Sequence, residues 1–253
     1  MSPPPLVIAH RGDSAHRPEN TLASFASALE VGASLVELDV QLTRDGHVVV
    51  LHDPAVDRTT GGRGEVRDMG LAELRGLSAG YPDRFGDAWS GERVPTLAEA
   101  LALLHGRARI MIEIKKEAVS DDDEGGIEAR TIAEVRRQGL AEQVAFISFE
   151  HRALVRSRAL APEIARGHLF SRTPVEEMIP AARDAGCGIV MPHKSRLSDS
   201  FAAQIHGAGL KLATWVVDEP SELKKLARFG LYGVGSNCPG VLLQALADGL
   251  LDG

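Results

Sequence analysis

The 253 residues, 44% hydrophobic and 25% charged with 26 Gly and 13 Pro, have the composition of a globular protein with a sizeable core, which excludes a disordered chain. The formal net charge of -7 argues against a general binder of nucleic acid or anionic membrane, so any recognition of an anion must rest on locally placed Lys and Arg. The two cysteines, Cys187 and Cys238, are too few for a disulfide framework and form no CxxC pair. The start "MSPPPLVIAHRG" has no signal-peptide character, and no run reaches the roughly 20 apolar residues of a membrane helix. The expectation is a cytoplasmic protein with no stable membrane insertion; nothing in the sequence specifies its oligomeric state.

The first β-branched apolar run, residues 6–9, leads directly into "HRGD". A helical segment follows in "TLASFASALE", where Leu22, Phe25 and Leu29 share a face. The next strand, 35–40, continues as "ELDVQLTRDGHVVVLHD". Here Asp45-Gly46 is a hairpin signal, and the few residues between the two runs require an antiparallel return. A turn centred between Asp45 and Gly46 pairs Asp39 with His52 and points Glu37 to the same side. Residues 54–95, rich in Gly, Arg and Asp, read as an insertion lying over one end of the fold.

From Thr96 the alternation resumes. Strands are expected at 109–114, 144–149, 165–170, 188–191, 211–216 and 232–236, with helices beginning near Gly126, Glu150, Pro174, Ser198, Glu219 and Gly240. Eight strand-helix units in series predict an α/β fold of the (β/α)8 TIM-barrel class, a single domain over residues 1–253; a doubly wound open sheet is the alternative. The acidic run "SDDDEGG" from Ser120 lacks the third oxygen ligand before its glycine that a calcium-loop pattern requires and reads as a solvated loop.

In a barrel the C-terminal strand ends share one mouth, where active sites are built. His10 and Arg11 end the first strand, Glu37 and Asp39 the second, Glu113 and Lys115 the third, and the hairpin adds His52. Singly, each is a hydrogen-bonded structural residue or a rim charge. Together, three carboxylates converging in a partly buried mouth repel one another unless a cation sits between them. Oxygen ligands without Cys suit calcium or magnesium, and two histidines beside such an ion supply an acid and a base near neutral pH. Arg11 and Lys115 offer positive charge for an anionic substrate. The set reads as metal-assisted cleavage of a phosphate ester. Serine-hydrolase, P-loop and zinc-hydrolase signatures are absent.

These residues resemble the glycerophosphodiester phosphodiesterases. The resemblance rests on "AHRG" with "PENT", "ELDVQLTRDG", "VVVLHD", "DRTTGGRGEVRDMGLAELRGL" leading to "GERVPTL", "IEIK", "ISF" and "TWVV", over about positions 8–239. It implies a phosphodiesterase TIM barrel in which His10 and His52 are catalytic, Glu37, Asp39 and Glu113 hold one divalent cation, and Arg11 and Lys115 contact phosphate. It also implies that residues 54–95 are the family's insertion. Trp215 either lines the substrate's alcohol side or packs inside the barrel. The implied reaction converts a small glycerophosphodiester to sn-glycerol 3-phosphate and an alcohol through a cyclic phosphate. Two alternatives are a lysophospholipase D, with Tyr81, Phe85 and Trp89 as an apolar rim, and a non-catalytic phosphodiester binder. The chain departs from the family pattern near its end: Tyr232 and Ser236-Asn237 stand where the pattern reads Asp and Thr-Asp, and Val216-Val217-Asp218 where it reads T-V-N.

Overall fold

A computed structural model describes residues 3–122 and 125–252. The chain runs from β1 (Leu6–Ala9) through α1 (Leu22–Glu30) to β2 (Leu35–Leu42) and β3 (Val48–Val50). Two short helices, α2 (Leu71–Arg75) and α3 (Pro82–Phe85), then precede α4 (Leu97–Leu104) and β4 (Arg109–Ile114). Regular alternation completes it: α5 (Ile127–Arg137), β5 (Val144–Ser148), α6 (His151–Leu160), β6 (Ala165–Phe170), α7 (Val175–Asp184), β7 (Ile189–Pro192), α8 (Asp199–Gly207), β8 (Lys211–Thr214), α9 (Pro220–Ala227), β9 (Gly233–Ser236) and α10 (Pro239–Ala247).

Every strand but β3 pairs in parallel, and the pairing of β1 with both β2 and β9 closes the sheet into a barrel, while β3 adds to β2 in antiparallel. The strands carry β-branched and Leu residues on both faces because both are covered. Ile8, Leu35, Met111, Ile147, Leu169, Ile189 and Met191 fill the barrel, whereas Val36, Leu38, Ile110 and Ile112 face outward onto helices such as α1 and α4. The expected starts at Gly126, Glu150, Pro174, Ser198 and Glu219 are helix N-caps; the last helix begins one residue before Gly240, with Cys238 as its cap. Of "PENT", Thr21 caps α1 by accepting from Ser24 N–H, with Ser24 returning the bond to the cap.

The hairpin register differs from expectation by one residue. Thr43 and His47 close the turn, and β2 pairs with β3 as Val40 with Val50, which sets Asp39 beside Leu51 rather than His52. Arg44, Asp45 and Gly46 form a three-residue loop, with Gly46 left-handed at φ 81°, not a two-residue turn centred on Asp45-Gly46. His52 therefore reaches the mouth from the loop beyond β3. Residues 54–95 pack a small core of their own, Val56, Val66, Leu74 and Val94 against Val49 and Leu51. In the acidic run, Asp123 and Glu124 lie outside the described residues, and exposed Asp121 accepts from Arg152. Among the described residues, no helix is long and apolar enough to cross a membrane.

Candidate active site

Alternation along two adjacent strands builds the charged wall. On β2 the inward positions read Leu35, Glu37, Asp39, and on β4 Met111, Glu113, then Lys115 just past the strand. Each row therefore turns from apolar to charged as it approaches the C-terminal mouth. The parallel register sets Asp39 directly beside Glu113. Carboxylate oxygens of Glu37, Asp39 and Glu113 lie within 4.8 Å of one another, all buried.

The first strand turns sharply to complete this wall. Arg11 has a left-handed backbone, φ 57°, that sends its N–H to Glu37 Oε2 at 2.9 Å. Its guanidinium reaches Glu19 at 2.9 Å and Asp39 at 3.3 Å. Lys115 Nζ lies 2.7 Å from Glu113 and 3.4 Å from Asp39. Asn20, also left-handed at φ 58°, donates its amide to Asp39 at 2.8 Å. Uncommon backbone conformations of non-glycine residues are thus concentrated around Asp39, where surrounding contacts hold them.

These contacts divide the carboxylates. Burial opposes the ionisation of Asp39, but Arg11, Lys115 and His52 with the Asn20 bond hold it well below the usual carboxylate range. Burial together with the charge of Asp39 pushes Glu113 up to about 7 and Glu37 well above its ordinary value. Glu37 Oε1 is buried without a hydrogen-bond partner, and Asp39 Oδ1 has none beyond the Lys115 ammonium at 3.4 Å. Such under-bonded hard oxygens on mutually repelling acids fit a divalent cation, which would satisfy them and relieve the repulsion.

The two histidines have unlike partners. His10 Nδ1 lies 2.8 Å from Asn237 Oδ1, and burial beside Arg11 pushes its pKa down to about 4. His52 Nδ1 lies 2.5 Å from Asp53 Oδ1, and the other oxygen of Asp53 accepts from Arg58 Nε at 2.5 Å. Arg58 continues to Glu19 at 2.7 and 2.9 Å, so the insertion's guanidinium ties Asp53 to the same carboxylate that binds Arg11.

A cavity of about 300 Å³ brings His10, Arg11, Glu37, His52, Glu113, Lys115 and Trp215 together, with Asp39 fully buried behind it. Its far side is apolar, formed by Ile147, Phe149, Leu169, Met191 and Trp215 from strands β5 to β8. Trp215 donates its indole N–H to Met191 O at 3.1 Å and meets the Phe149 ring edge-on at 5.4 Å. Tyr81, Phe85 and Trp89 do not line this cavity; guanidiniums of Arg58, Arg84 and Arg17 lie over their rings. Tyr232 sits at the opposite end of the barrel interior, accepting from Arg109 at 3.1 Å, so this departure does not touch the pocket wall. Of the departures, Val216 lines the cavity and Asn237 reaches the site through His10.

Sequence reasoning missed Glu19, Asn20, Asp53, Arg58 and Phe149 as site residues, and it named Asn237 only as a departure from the family pattern. "PENT", "LHD" and "ISF" contain four of the missed residues, but nothing local in "PENT" marks Asn20 as the partner of Asp39.

Comparison with known proteins agrees with this architecture. The profile of the glycerophosphoryl diester phosphodiesterase family matches residues 10–241. A glycerophosphodiester phosphodiesterase of Caldanaerobacter subterraneus subsp. tengcongensis is 38% identical over 96% of this chain and 98% of its own. One from Bacillus subtilis is 32% identical over 92% of this chain and 84% of its own. Among solved structures, an Oleispira antarctica phosphodiesterase in complex with the product sn-glycerol 3-phosphate superposes with a TM-score of 0.89 at 34% identity, covering 96% of this chain and 97% of that one. The chain belongs to the glycerophosphoryl diester phosphodiesterase family, a family of phosphoric diester hydrolases.

Proposed function

We propose that this chain hydrolyses small glycerophosphodiesters to sn-glycerol 3-phosphate and a free alcohol, with His10 and His52 as base and acid and with one calcium or magnesium ion held by Glu37, Asp39 and Glu113. The observation that carries the reading is the pair of histidines with unlike partners on one cavity lined by Glu37 and Glu113, with the third clustered carboxylate, Asp39, buried behind it. The product complex of the Oleispira antarctica relative supports the choice of product.

Charge sets the pose: Arg11 and Lys115 receive the phosphate, and the apolar wall around Trp215 accepts carbon rather than charge. A divalent cation held by Glu37, Asp39 and Glu113 would supply positive charge for a phosphate oxygen and would lower the pKa of a neighbouring hydroxyl. His10, kept neutral by burial, has its Nε2 free to take the proton of the substrate's 2-hydroxyl as that oxygen forms a bond to phosphorus. His52, whose Nδ1 faces the Asp53 carboxylate, protonates the departing alcohol as its P–O bond breaks. Water then opens the cyclic phosphate: His52 takes a proton from water while His10 returns one to the 2-oxygen.

Release of glycerol 3-phosphate from glycerophosphocholine, with and without added calcium or magnesium, tests the reading. His10→Ala and His52→Ala should each lower kcat by about 10²- to 10⁴-fold with the fold retained by circular dichroism. Unchanged turnover in either variant, or full activity after exhaustive EDTA treatment, removes the corresponding part. Equal cleavage of a 2-deoxy diester removes the cyclic route. The apolar wall is the feature that favours lysophospholipids as a second substrate class, and faster turnover of lysophosphatidylcholine than of glycerophosphocholine selects it.

A further inference from the structure

The partner of His10 comes from the far end of the chain and is itself held from behind. Closure of the barrel pairs Ala9 with Ser236, so the following residues, His10 and Asn237, stand side by side, with His10 N–H bonded to Ser236 O at 2.9 Å. Behind Asn237 lies Asp218, in the loop after β8. Asp218 Oδ2 accepts from the Asn237 side-chain amide at 2.9 Å; its Oδ1 accepts from the Asn237 backbone N–H at 2.7 Å and from the Ser236 hydroxyl at 3.0 Å.

The order of donors and acceptors in this line admits one arrangement. A carboxylate only accepts, so the NH₂ of Asn237 must face Asp218; rotated by a half turn, the amide would set oxygen against oxygen. Its Oδ1 then faces His10, where it accepts from the ring; the Ser14 hydroxyl, which also bonds the His10 carbonyl at 2.8 Å, lies 3.2 Å from the same oxygen. Nδ1 of His10 must therefore carry the proton, and Nε2 must be bare.

We propose that Asp218 is a positioning residue that acts through Asn237 to lock His10 in the tautomer with a free Nε2, and that a neutral amide at this junction keeps His10 a base that readily returns its proton. This rests on the reading of His10 as the base. Burial alone would raise Asp218, but the bonds from Asn237 and Ser236 hold it below the usual carboxylate range, so the line keeps its polarity across neutral pH. The negative charge lies one residue away from the imidazole, where it orients the amide without directly pairing with an imidazolium. Beyond the neutral amide of Asn237, His10 faces the charges of Arg11 in its own loop, Asp39 on β2 and Glu19 before α1.

The test combines turnover in the presence of magnesium or calcium with ¹⁵N spectra of histidine in the resting protein, which report the tautomer whether or not a substrate is cleaved. Wild type should show His10 as the Nδ1–H form. Asp218→Asn leaves the amide free to rotate: the spectra should show mixed tautomers, and kcat should fall about 10- to 100-fold with KM little changed, because Asp218 does not line the cavity. The exchange variant Asp218→Asn with Asn237→Asp matches every donor to an acceptor again. It should recover the Nδ1–H tautomer and most of the turnover, and should move the acid limb of the kcat/KM profile up by at least one pH unit, because a carboxylate now faces His10 directly. Should Asp218→Asn fail to fold, the exchange variant carries the test by the same readouts. The proposal is overturned if Asp218→Asn keeps the wild-type tautomer, or if the exchange variant has a wild-type pH profile. A wild-type protein with the Nδ1–H tautomer but no turnover of any glycerophosphodiester would instead overturn the functional reading and leave the relay standing.

Discussion

Asn20 shows what one side chain decides at this site. Its amide NH₂ satisfies an oxygen of Asp39 that has no access to water, and its own oxygen lies 3.3 Å from the Asp39 N–H. Asn20→Ala should therefore weaken calcium or magnesium binding roughly 10- to 100-fold by isothermal titration, the range expected when the group that orients a metal ligand is lost. A second residue, His168, matters for stability rather than chemistry. Its ring is 3% exposed, stacks on Phe170 with centroids 4.1 Å apart and meets His151 at 3.2 Å. Burial pushes its pKa down to about 4. The unfolded chain takes up this proton near pH 6.5 and the folded one does not, so stability is lost as pH falls from about 6.5 toward about 4, by about 2 kcal/mol at pH 5. Urea denaturation at pH 7 and pH 5 should show a loss about 2 kcal/mol smaller in His168→Gln than in wild type, the remaining pH dependence coming from His10, whose pKa is likewise about 4, and from the buried acids.

The element that carries His10 and Arg11 depends on a glycine. Gly12 has φ +83°, and a Cβ there would lie 2.6–2.7 Å from the Ser24 backbone of α1. Gly12→Ala should cost about 2 kcal/mol or more, a fall of roughly 5 °C in the melting temperature, and should lower activity by displacing the strand end. The hairpin after β2 shows which part of an element is legible. The two strands and the turn between them follow from alternation and from Asp45-Gly46. The register does not, because Gly46 supplies a left-handed residue equally well to a two-residue turn or to the third position of a longer one. The structure takes the longer loop, and His52 still reaches the mouth because Asp53 and Arg58 hold its ring there.

At the scale of the whole molecule, three buried acids make stability depend on the ion they are suited to hold. Without a cation, Glu113, pushed up to about 7, and Glu37 bind protons in the folded state that the unfolded chain has released. This contribution to the stability of the metal-free protein should therefore fall as pH rises from about 4.5 through 7, the carboxylate range of the unfolded chain marking the start, opposite in sign to that of His10 and His168. Calcium or magnesium should restore it by an amount that grows with pH and reaches about 2.7 kcal/mol at a hundredfold excess over the dissociation constant. Thermal melts in EDTA and in excess cation between pH 5 and 8 check both directions; identical melts throughout would remove the cation from the site.

The repeated units, their order and the strand-end residues His10, Arg11, Glu37, Asp39, Glu113 and Lys115 were determined by the sequence alone, because strand periodicity of two and the flanking helix starts are local properties. Asn20 on Asp39, Arg58 between Glu19 and Asp53, and Asp218 behind Asn237 and His10 were decided only by the tertiary structure. These contacts join residues up to 227 positions apart, and no local pattern encodes them. They exist because the closing strand pair β1–β9 and the packing of the insertion against the mouth set distant backbones side by side, after which donors and acceptors without access to water must find one another.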